Sequence, residues 1–300
     1  MLETNFIFRD MIRSNPNIHK ISESDVKRLQ KTLLEMMDDI DMVCRKYHLT
    51  YFLCGGSALG AVRHGGFIPW DDDMDLVMPR RDYDLLEKYM YKEFPDRYWV
   101  QDVRTDSRYD ISSMKIRKKG TRCVEVLDSE PEKAGIFIDI YPLEDTYDNS
   151  FLRVAHGYLG EAFLFVCSCV RLRGKKERIL KSLEDPKSLR VVKKKLAIGS
   201  CFSFLSLIRW LRVTEKILSC CHRPDSKYVS IPSGRKHYFG ELYTRQSFFP
   251  PREIGYDGHS YYIMNDPSEY LEKLYGDYMT IPPEKDREYH GVLELEFERE

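Results

Sequence analysis

Apolar residues recur with a helical period in the first well-patterned segment of this chain, residues 22–48. They advance in alternating steps of three and four, which is typical of an amphipathic helix. The apolar positions are Val26, Leu29, Leu33, Met36, Ile40, Val43 and Tyr47. Ser22 and Asp25 stand in capping-box positions at the start of the segment, so the pattern predicts one long helix.

After this helix the apolar runs become short, and amphipathic stretches separate them. The pattern predicts helices at 57–63 and 81–94. It predicts strands at 50–54, 75–78, 98–103, 113–117, 122–127 and 136–141. Strands and helices mixed in this order indicate an α+β fold with a mixed sheet flanked by helices.

The character of the chain changes at about residue 151. Up to residue 224 long apolar stretches are separated by a basic segment, which indicates a helical insertion. The remaining residues, 225–300, are rich in Tyr, Pro and Gly. We therefore divide the chain into an N-terminal helical segment (1–48), a catalytic core (49–150), the helical insertion (151–224) and a C-terminal segment that completes the site (225–300).

Composition restricts the class of protein. Three hundred residues with 42% hydrophobic content can bury a substantial core. The eight cysteines include no CxxC pair, and no secretory leader precedes them, so we expect reduced thiols in a cytoplasmic protein. The apolar run at 196–208 is too short to span a membrane, which takes roughly 20 residues.

Four aspartates crowd into five positions, 71–75, immediately before the apolar run 76–78. Residues two apart on a strand share a face, so Asp73 and Asp75 point the same way and form the predicted metal-binding pair. Asp71 falls in the preceding loop, where we expect a supporting or structural role. Carboxylates of this kind suit Mg²⁺ or Mn²⁺ completed by substrate phosphate.

Two further features belong to the same chemistry. Gly55 and Gly56 allow the backbone to approach a phosphate at the start of a helix, and Ser57 offers a hydroxyl. Asp139 is a lone acid in the apolar strand 136–141, where a carboxylate is costly unless it is paired or metal-bound. We expect Asp139 to be the third metal ligand or a general base, with a structural ion pair as the alternative.

The sequence around these residues resembles a known family. The stretch from Gly55 to Pro79, GGSALGAVRHGGFIPWDDDMDLVMP, followed by GIFIDIYPLE and by YGDYMTIPP, is similar to the LicD family of cholinephosphotransferases, relatives of the fukutin-related enzymes. The resemblance covers roughly residues 47–147 and 228–290, while the helical insertion matches only loosely. It implies a nucleotidyltransferase-like fold and a catalytic metal site at Asp73, Asp75 and Asp139.

The resemblance also implies a reaction. Members transfer phosphocholine or a similar phospho-alcohol from CDP-choline or another CDP-alcohol to a sugar hydroxyl of a glycan or lipid-linked glycan, such as teichoic acid or lipopolysaccharide, and release CMP. A first alternative is a nucleotidyltransferase that places NMP on a small molecule or protein and releases pyrophosphate. A second is a non-catalytic module that binds nucleotides or glycans. We expect no nucleic-acid partner.

Six other residues are candidates for substrate binding, each with an ordinary structural alternative. Arg63 and His64 contact phosphate or close the helix that begins at the glycines. Lys115 and Arg117 alternate with apolar residues on one strand, so they meet a diphosphate or are ordinary exposed charges. Trp70 stacks on a base or a quaternary ammonium group. His290 binds phosphate or serves the acceptor, or it only follows a helix that prolines end.

The basic segment 171–195 holds eleven Lys or Arg against three acids. Such a segment beside apolar helices can lie on an anionic membrane and bring the enzyme peripherally to the inner face of the cytoplasmic membrane. A solvated, purely structural run of charge is the alternative.

Overall fold

The computed structural model describes residues 21–125, 128, 131–181, 183, 185–284, 287 and 291–298. Its helices are α1 (Glu23–Tyr47), α2 (Gly55–His64), α3 (Arg80–Glu93), α4 (Ser150–Gly174), α5 (Lys176–Lys181), α6 (Pro186–Cys201), α7 (Leu207–Leu218), α8 (His237–Gly240), α9 (Arg245–Phe248) and α10 (Pro267–Tyr275). A 3₁₀ turn covers Pro131–Lys133.

The strands are β1 (Phe52–Leu53), β2 (Asp75–Pro79), β3 (Tyr98–Gln101), β4 (Met114–Lys118), β5 (Arg122–Glu125), β6 (Phe137–Asp145), β7 (Tyr228–Ser230), β8 (Leu242–Thr244), β9 (Arg252–Tyr256), β10 (His259–Ile263) and β11 (Val292–Glu296). The main sheet has the order β1-β2-β6-β4-β3, with β7 added to β6 and β8 to β7. β9 pairs with β10, and β5 pairs with β11.

One strand pair makes the main sheet mixed. β2 and β6 run parallel, whereas the other neighbours in this sheet are antiparallel. In the parallel register Asp75, the first residue of β2, lies beside Asp139, the third residue of β6. The predicted α+β fold with a mixed sheet and flanking helices is confirmed, and the strand order places the two predicted acids next to each other.

Helix α1 follows directly from its apolar period. Its buried face includes Leu33, Met36 and Ile40, which pack in the main core. Ser22 Oγ accepts a hydrogen bond of 3.1 Å from the Asp25 amide, and His48 ends the helix in the left-handed region at φ 55°. Capping residues and periodicity together thus set both ends of α1.

Helix α4 packs against both α6 and α7 in the part of the chain where the helical insertion was predicted. Small residues permit the close approach. A Cβ at Gly160 would lie 2.4 Å from Leu218 Cδ2, and one at Gly199 would lie 2.3 Å from the Cys169 carbonyl oxygen. No helix in the described part of the chain is both long and apolar enough to cross a bilayer. The four-part division of the chain stays a prediction.

The first turn of α4 supplies a stability prediction. Asn149 Oδ1 accepts a hydrogen bond of 3.1 Å from the Leu152 amide, which satisfies one of the free amides at the start of the helix. We expect Asn149→Ala to lower the free energy of unfolding by about 1 kcal/mol in urea denaturation. Asn149→Asp keeps the acceptor and is the control. Equal losses in both variants would contradict the capping role.

Candidate active site

A cavity of about 210 Å³ lies where α2 begins and β2 begins. Three of the four clustered aspartates line it, namely Asp71, Asp73 and Asp75. Gly55 and Gly56 line the same cavity. The predicted glycine turn and the predicted carboxylates therefore meet in one place.

The two glycines leave room for the carboxylates. A Cβ at Gly55 would lie 2.7 Å from Asp75 Oδ2, and one at Gly56 would lie 2.6 Å from Asp71 Oδ2. Gly55 also has a φ of +53°, which side-chain-bearing residues rarely adopt. Carboxylate oxygens thus lie directly against the start of α2, where partial positive charge from the helix stabilises anions.

Ser57 and Tyr270 hold this geometry. Ser57 Oγ accepts a hydrogen bond of 2.9 Å from the Asp75 amide, and the Gly55 amide donates one of 2.7 Å to the Tyr270 hydroxyl. Ser57 is buried. Its hydroxyl therefore fixes the chain at Asp75.

The carboxylates suit a divalent cation. One ligand oxygen from each of Asp71, Asp72 and Asp73 can be chosen so that all lie within 4.8 Å of one another. With Asp75 on the same cavity, the oxygen donors fit the preference of Mg²⁺ or Mn²⁺ for carboxylates, and the cavity leaves space for further ligands. Asp71, which the sequence assigned to a supporting role, lines the cavity together with the predicted pair.

Asp139 lies beside Asp75 in the sheet but lines a second, larger cavity of about 500 Å³. Tyr141 lines both cavities, so they adjoin. Lys115 Nζ lies 3.3 Å from Asp139 Oδ2. Burial raises the pKa of the Asp139 carboxyl, and the Lys115 ammonium opposes that rise. Asp139 therefore forms the structural ion pair that was the alternative to a metal-binding or general-base role. Its carboxylate also lines the larger cavity, which adjoins the acidic one.

Lys115 and Arg117 are buried, unlike ordinary strand charges on a polar face. Lys115 Nζ lies 2.6 Å from Glu125 and packs 3.4 Å from the Phe137 ring centroid. It lines the larger cavity. Arg117 pairs with Asp128 at 2.6 Å and donates to Gln101 Oε1 at 2.7 Å. Lys115 is thus placed to meet a ligand, whereas the contacts of Arg117 are with the protein.

Arg63 and His64 lie at the end of α2. The Arg63 guanidinium donates to the Tyr278 carbonyl at 2.8 Å, which ties the helix to the C-terminal segment. The pKa of His64 is lowered by burial and then by Arg63.

Trp70 and His290 complete the sequence candidates. The Arg287 guanidinium lies 3.9 Å from a Trp70 ring centroid, so a cation already stacks on this indole. The prediction for His290 falls outside the described residues.

The C-terminal segment brings residues to the acidic cavity that sequence reasoning missed. Arg235, Glu241 and Tyr275 line it together with Tyr270. Arg235 thus adds a cationic residue to a cavity lined by carboxylates, and arginine is a common ligand of phosphate. These residues lie about 160 positions or more from Asp75 in the chain, and the only available signal was the resemblance of the segment to the family.

Glu241 is the buried acid of this cavity, at 2% exposure. Its Oε1 accepts a hydrogen bond of 2.8 Å from the Lys236 amide. Burial, only partly opposed by this bond and by Lys236 and Arg235, raises the pKa of Glu241 to about 7. The folded state therefore holds the proton more tightly than the unfolded chain, so this group makes the protein less stable as pH rises towards 7.

We expect Glu241→Gln to remove that dependence. At pH 8 the variant should melt about 5 °C above the parent, because no buried charge has to form. At pH 4, below the unfolded pKa, the two melting temperatures should nearly coincide. Thermal denaturation followed by circular dichroism at both pH values measures this. Equal destabilisation of the variant at pH 4 and at pH 8 would show that the Glu241 carboxyl stabilises the fold only through its hydrogen bonds.

Comparison with known proteins agrees with this geometry. Residues 48–160 match the family profile described as LicD/FKTN/FKRP, nucleotidyltransferase domain. The chain is 25% identical over 283 residues to the lipopolysaccharide cholinephosphotransferase LicD of Haemophilus influenzae, covering 90% of this chain and 97% of that protein. An uncharacterized protein of Rickettsia prowazekii is 36% identical over 138 residues, 46% of this chain and 47% of that protein.

A second uncharacterized protein, from Rickettsia typhi, is 28% identical over 140 residues, 43% of this chain and 41% of that protein. The match of residues 48–160 contains both Asp75 and Asp139 and therefore the core of the site. The resemblance to the LicD family is confirmed by the domain at residues 48–160, and the expectation of a transferase agrees with the name of the relative that aligns over nearly its whole length.

Proposed function

We propose that this protein transfers phosphocholine, or a closely similar phospho-alcohol, from a CDP-activated donor to a sugar hydroxyl of lipopolysaccharide or a related surface glycan such as teichoic acid. The observation that carries the proposal is the near full-length similarity to a lipopolysaccharide cholinephosphotransferase in a chain whose carboxylates converge on a helix start. Similarity over 97% of that relative includes the C-terminal segment, which supplies Arg235 and Glu241.

In this proposal Asp71, Asp73 and Asp75 hold a divalent cation, Mg²⁺ or Mn²⁺. When bound, the ion neutralises charge on the donor's diphosphate. Arg235, which lines the same cavity, contacts a phosphate oxygen. The helix start at Gly55 and Gly56 adds positive partial charge, and Ser57 keeps Asp75 in position.

Two adjoining cavities suit a reaction with two substrates. The smaller one contains the acids, and the larger one, with Lys115 and Asp139, opens on the other side of Tyr141. A donor phosphate in the first and an acceptor sugar in the second would meet at the strand ends. The acceptor hydroxyl oxygen then bonds to the choline-bearing phosphorus while the bond from that phosphorus to the CMP oxygen breaks.

We propose that the Asp139 carboxylate accepts the proton of the acceptor hydroxyl. The carboxylate faces the larger cavity, and Lys115 holds it at 3.3 Å from the ammonium nitrogen. A carboxylate within hydrogen-bond reach of the hydroxyl serves as general base. Asp139→Asn should therefore lose transfer while it retains binding of CDP-choline, which equilibrium dialysis with labelled donor measures.

The proposal is tested by incubating the purified protein with Mg²⁺, CDP-choline and delipidated lipopolysaccharide, with teichoic acid as a second acceptor. Acceptor-dependent release of CMP together with incorporation of phosphocholine is the expected result. CDP-ethanolamine, CDP-ribitol and CDP-glycerol, supplied in separate reactions, identify the alcohol. No CMP from any donor with either acceptor would overturn the proposal.

The two alternatives give different products. A nucleotidyltransferase would consume CTP or another nucleoside triphosphate and release pyrophosphate, which an enzyme-coupled assay detects. A non-catalytic module would bind CDP-choline without turnover. Either result in place of CMP release would replace the proposed reaction.

A further inference from the structure

The first half of α4 exposes an apolar surface. Five large apolar side chains lie there within nine residues, with exposures of 77% at Phe151, 48% at Leu152, 44% at Val154, 65% at Tyr158 and 48% at Leu159. The ionisable residues of this stretch turn inward. Arg153 donates to the Tyr147 carbonyl at 2.8 Å and stacks on Tyr228, and His156 is buried.

Apolar residues form a stripe along one side of α4, and α6 covers the second half of that stripe. Phe151, Ala155, Tyr158 and Ala162 recur at helical spacing, and the stripe continues through Phe165 and Cys169. Lys195 Nζ of α6 lies 5.4 Å from the Phe165 ring centroid, and Gly199 of α6 lies against the Cys169 carbonyl. Helix α6 therefore sits on the side of α4 towards which Phe151 and Tyr158 point, so its outer surface faces the same way.

The outer surface of α6 is basic. Its exposed side chains include Lys187, Arg190, Lys193 and Lys194, and the helix contains no acid. Arg173, Lys176 and Lys193 line one groove with Leu180 and Leu196, and no carboxylate of the described residues lines it. The apolar end of α4 and the basic face of α6 together form what we call the α4–α6 surface.

We propose that the α4–α6 surface docks on a bilayer that contains anionic phospholipid. Apolar side chains of the first half of α4 enter the interfacial region, while the lysines and arginines of α6, which packs on the second half of α4, contact lipid phosphates. Amphipathic surfaces bind anionic membranes by this combination. A symmetric contact with a second copy fits less well, because α6 contains no acid and the one acid of α4, Glu161, is half-buried and accepts a hydrogen bond from the Phe239 amide. Membrane docking would place the enzyme beside an acceptor carried on lipid, and this consequence alone rests on the proposed function.

The test is co-sedimentation of the full-length protein with vesicles of phosphatidylcholine alone and of phosphatidylcholine mixed with phosphatidylglycerol. Binding to the mixed vesicles only, weakened by high salt, is expected. Lys193→Glu with Lys194→Glu should lower the partition coefficient by at least about tenfold. Phe151→Ser with Tyr158→Ser should lower it similarly, because these side chains supply the apolar contact.

The matched control is Lys27→Glu with Lys31→Glu on α1, which changes the net charge equally at two other exposed lysines. It should bind mixed vesicles nearly as the parent does. All variants should keep CMP release with delipidated acceptor, so loss of membrane binding is distinguishable from failure of the proposed reaction.

A direct readout is the fluorescence of Phe151→Trp, which should shift to shorter wavelength with mixed vesicles, whereas Met42→Trp on α1 should not. The proposal is overturned if the parent binds neither vesicle type, if the control variant loses binding equally, or if analytical ultracentrifugation shows self-association that Phe151→Ser removes.

Discussion

Asp75→Asn is expected to abolish transfer, with kcat lowered by at least about 10²-fold at saturating Mg²⁺. Asp75 combines the contacts on which the site depends. Its amide donates to Ser57, its carboxylate lies against Gly55, and its strand runs parallel to that of Asp139. The asparagine keeps the shape of the side chain but removes the negative charge that a divalent cation needs.

The measurement is CMP release together with Mn²⁺ binding by isothermal titration calorimetry. Mn²⁺ affinity should fall along with activity, while the melting temperature without metal stays level or rises because like charges are relieved. Asp96→Asn, an exposed acid in the turn after α3, is the matched control and should behave as the parent. If the activity of Asp75→Asn stayed within a few-fold of the parent's, the Asp75 carboxylate would have no essential role in the reaction.

Gly55→Ala is the second substitution with a large expected effect. The new methyl group would lie 2.7 Å from Asp75 Oδ2, and the residue must keep a φ of +53°. Displacement of a carboxylate by about 1 Å is enough to lower turnover by about 10²-fold. We expect activity to fall by this amount and the free energy of unfolding to fall by about 1–3 kcal/mol.

Gly258→Ala separates backbone strain from collision. Gly258 has a φ of +89°, but a Cβ at this position would have no neighbouring atom within 4 Å. Strain alone should cost this variant about 1 kcal/mol of stability, and activity should be retained. If both variants lost stability equally and neither lost activity, the closeness of Gly55 to Asp75 would have no catalytic importance.

The local elements near the site were predictable because short-range patterns determine them. The helix predicted at 22–48 is found at Glu23–Tyr47, and the strand predicted at 75–78 is found at Asp75–Pro79. Apolar periodicity, a serine cap and a glycine turn each act within a few residues. The predicted strand at 136–141 is longer in the structure, Phe137–Asp145, because pairing with β2 and β7 extends it.

The composition of the site could not be predicted to the same degree. Asp71 lies in the loop where it was predicted, but the pattern did not show that the close packing of Gly56 brings its carboxylate to the cavity. Lys115 and Arg117 were expected on a polar face, but every residue of β4 is buried, and the two cations pair with Glu125 and Asp128. Strand alternation shows which residues share a face and does not show what covers that face.

By itself, the sequence determined the helices and strands of the core, the family, and the presence of acids and glycines suited to phosphate and metal. These depend on local periodicity and on a contiguous motif. Only the tertiary structure decided that Asp139 lies beside Asp75, that Arg235 and Glu241 complete the cavity, and that α6 packs on the second half of α4 with its basic side exposed. Those contacts join residues far apart in the chain, and packing rather than local pattern selects them.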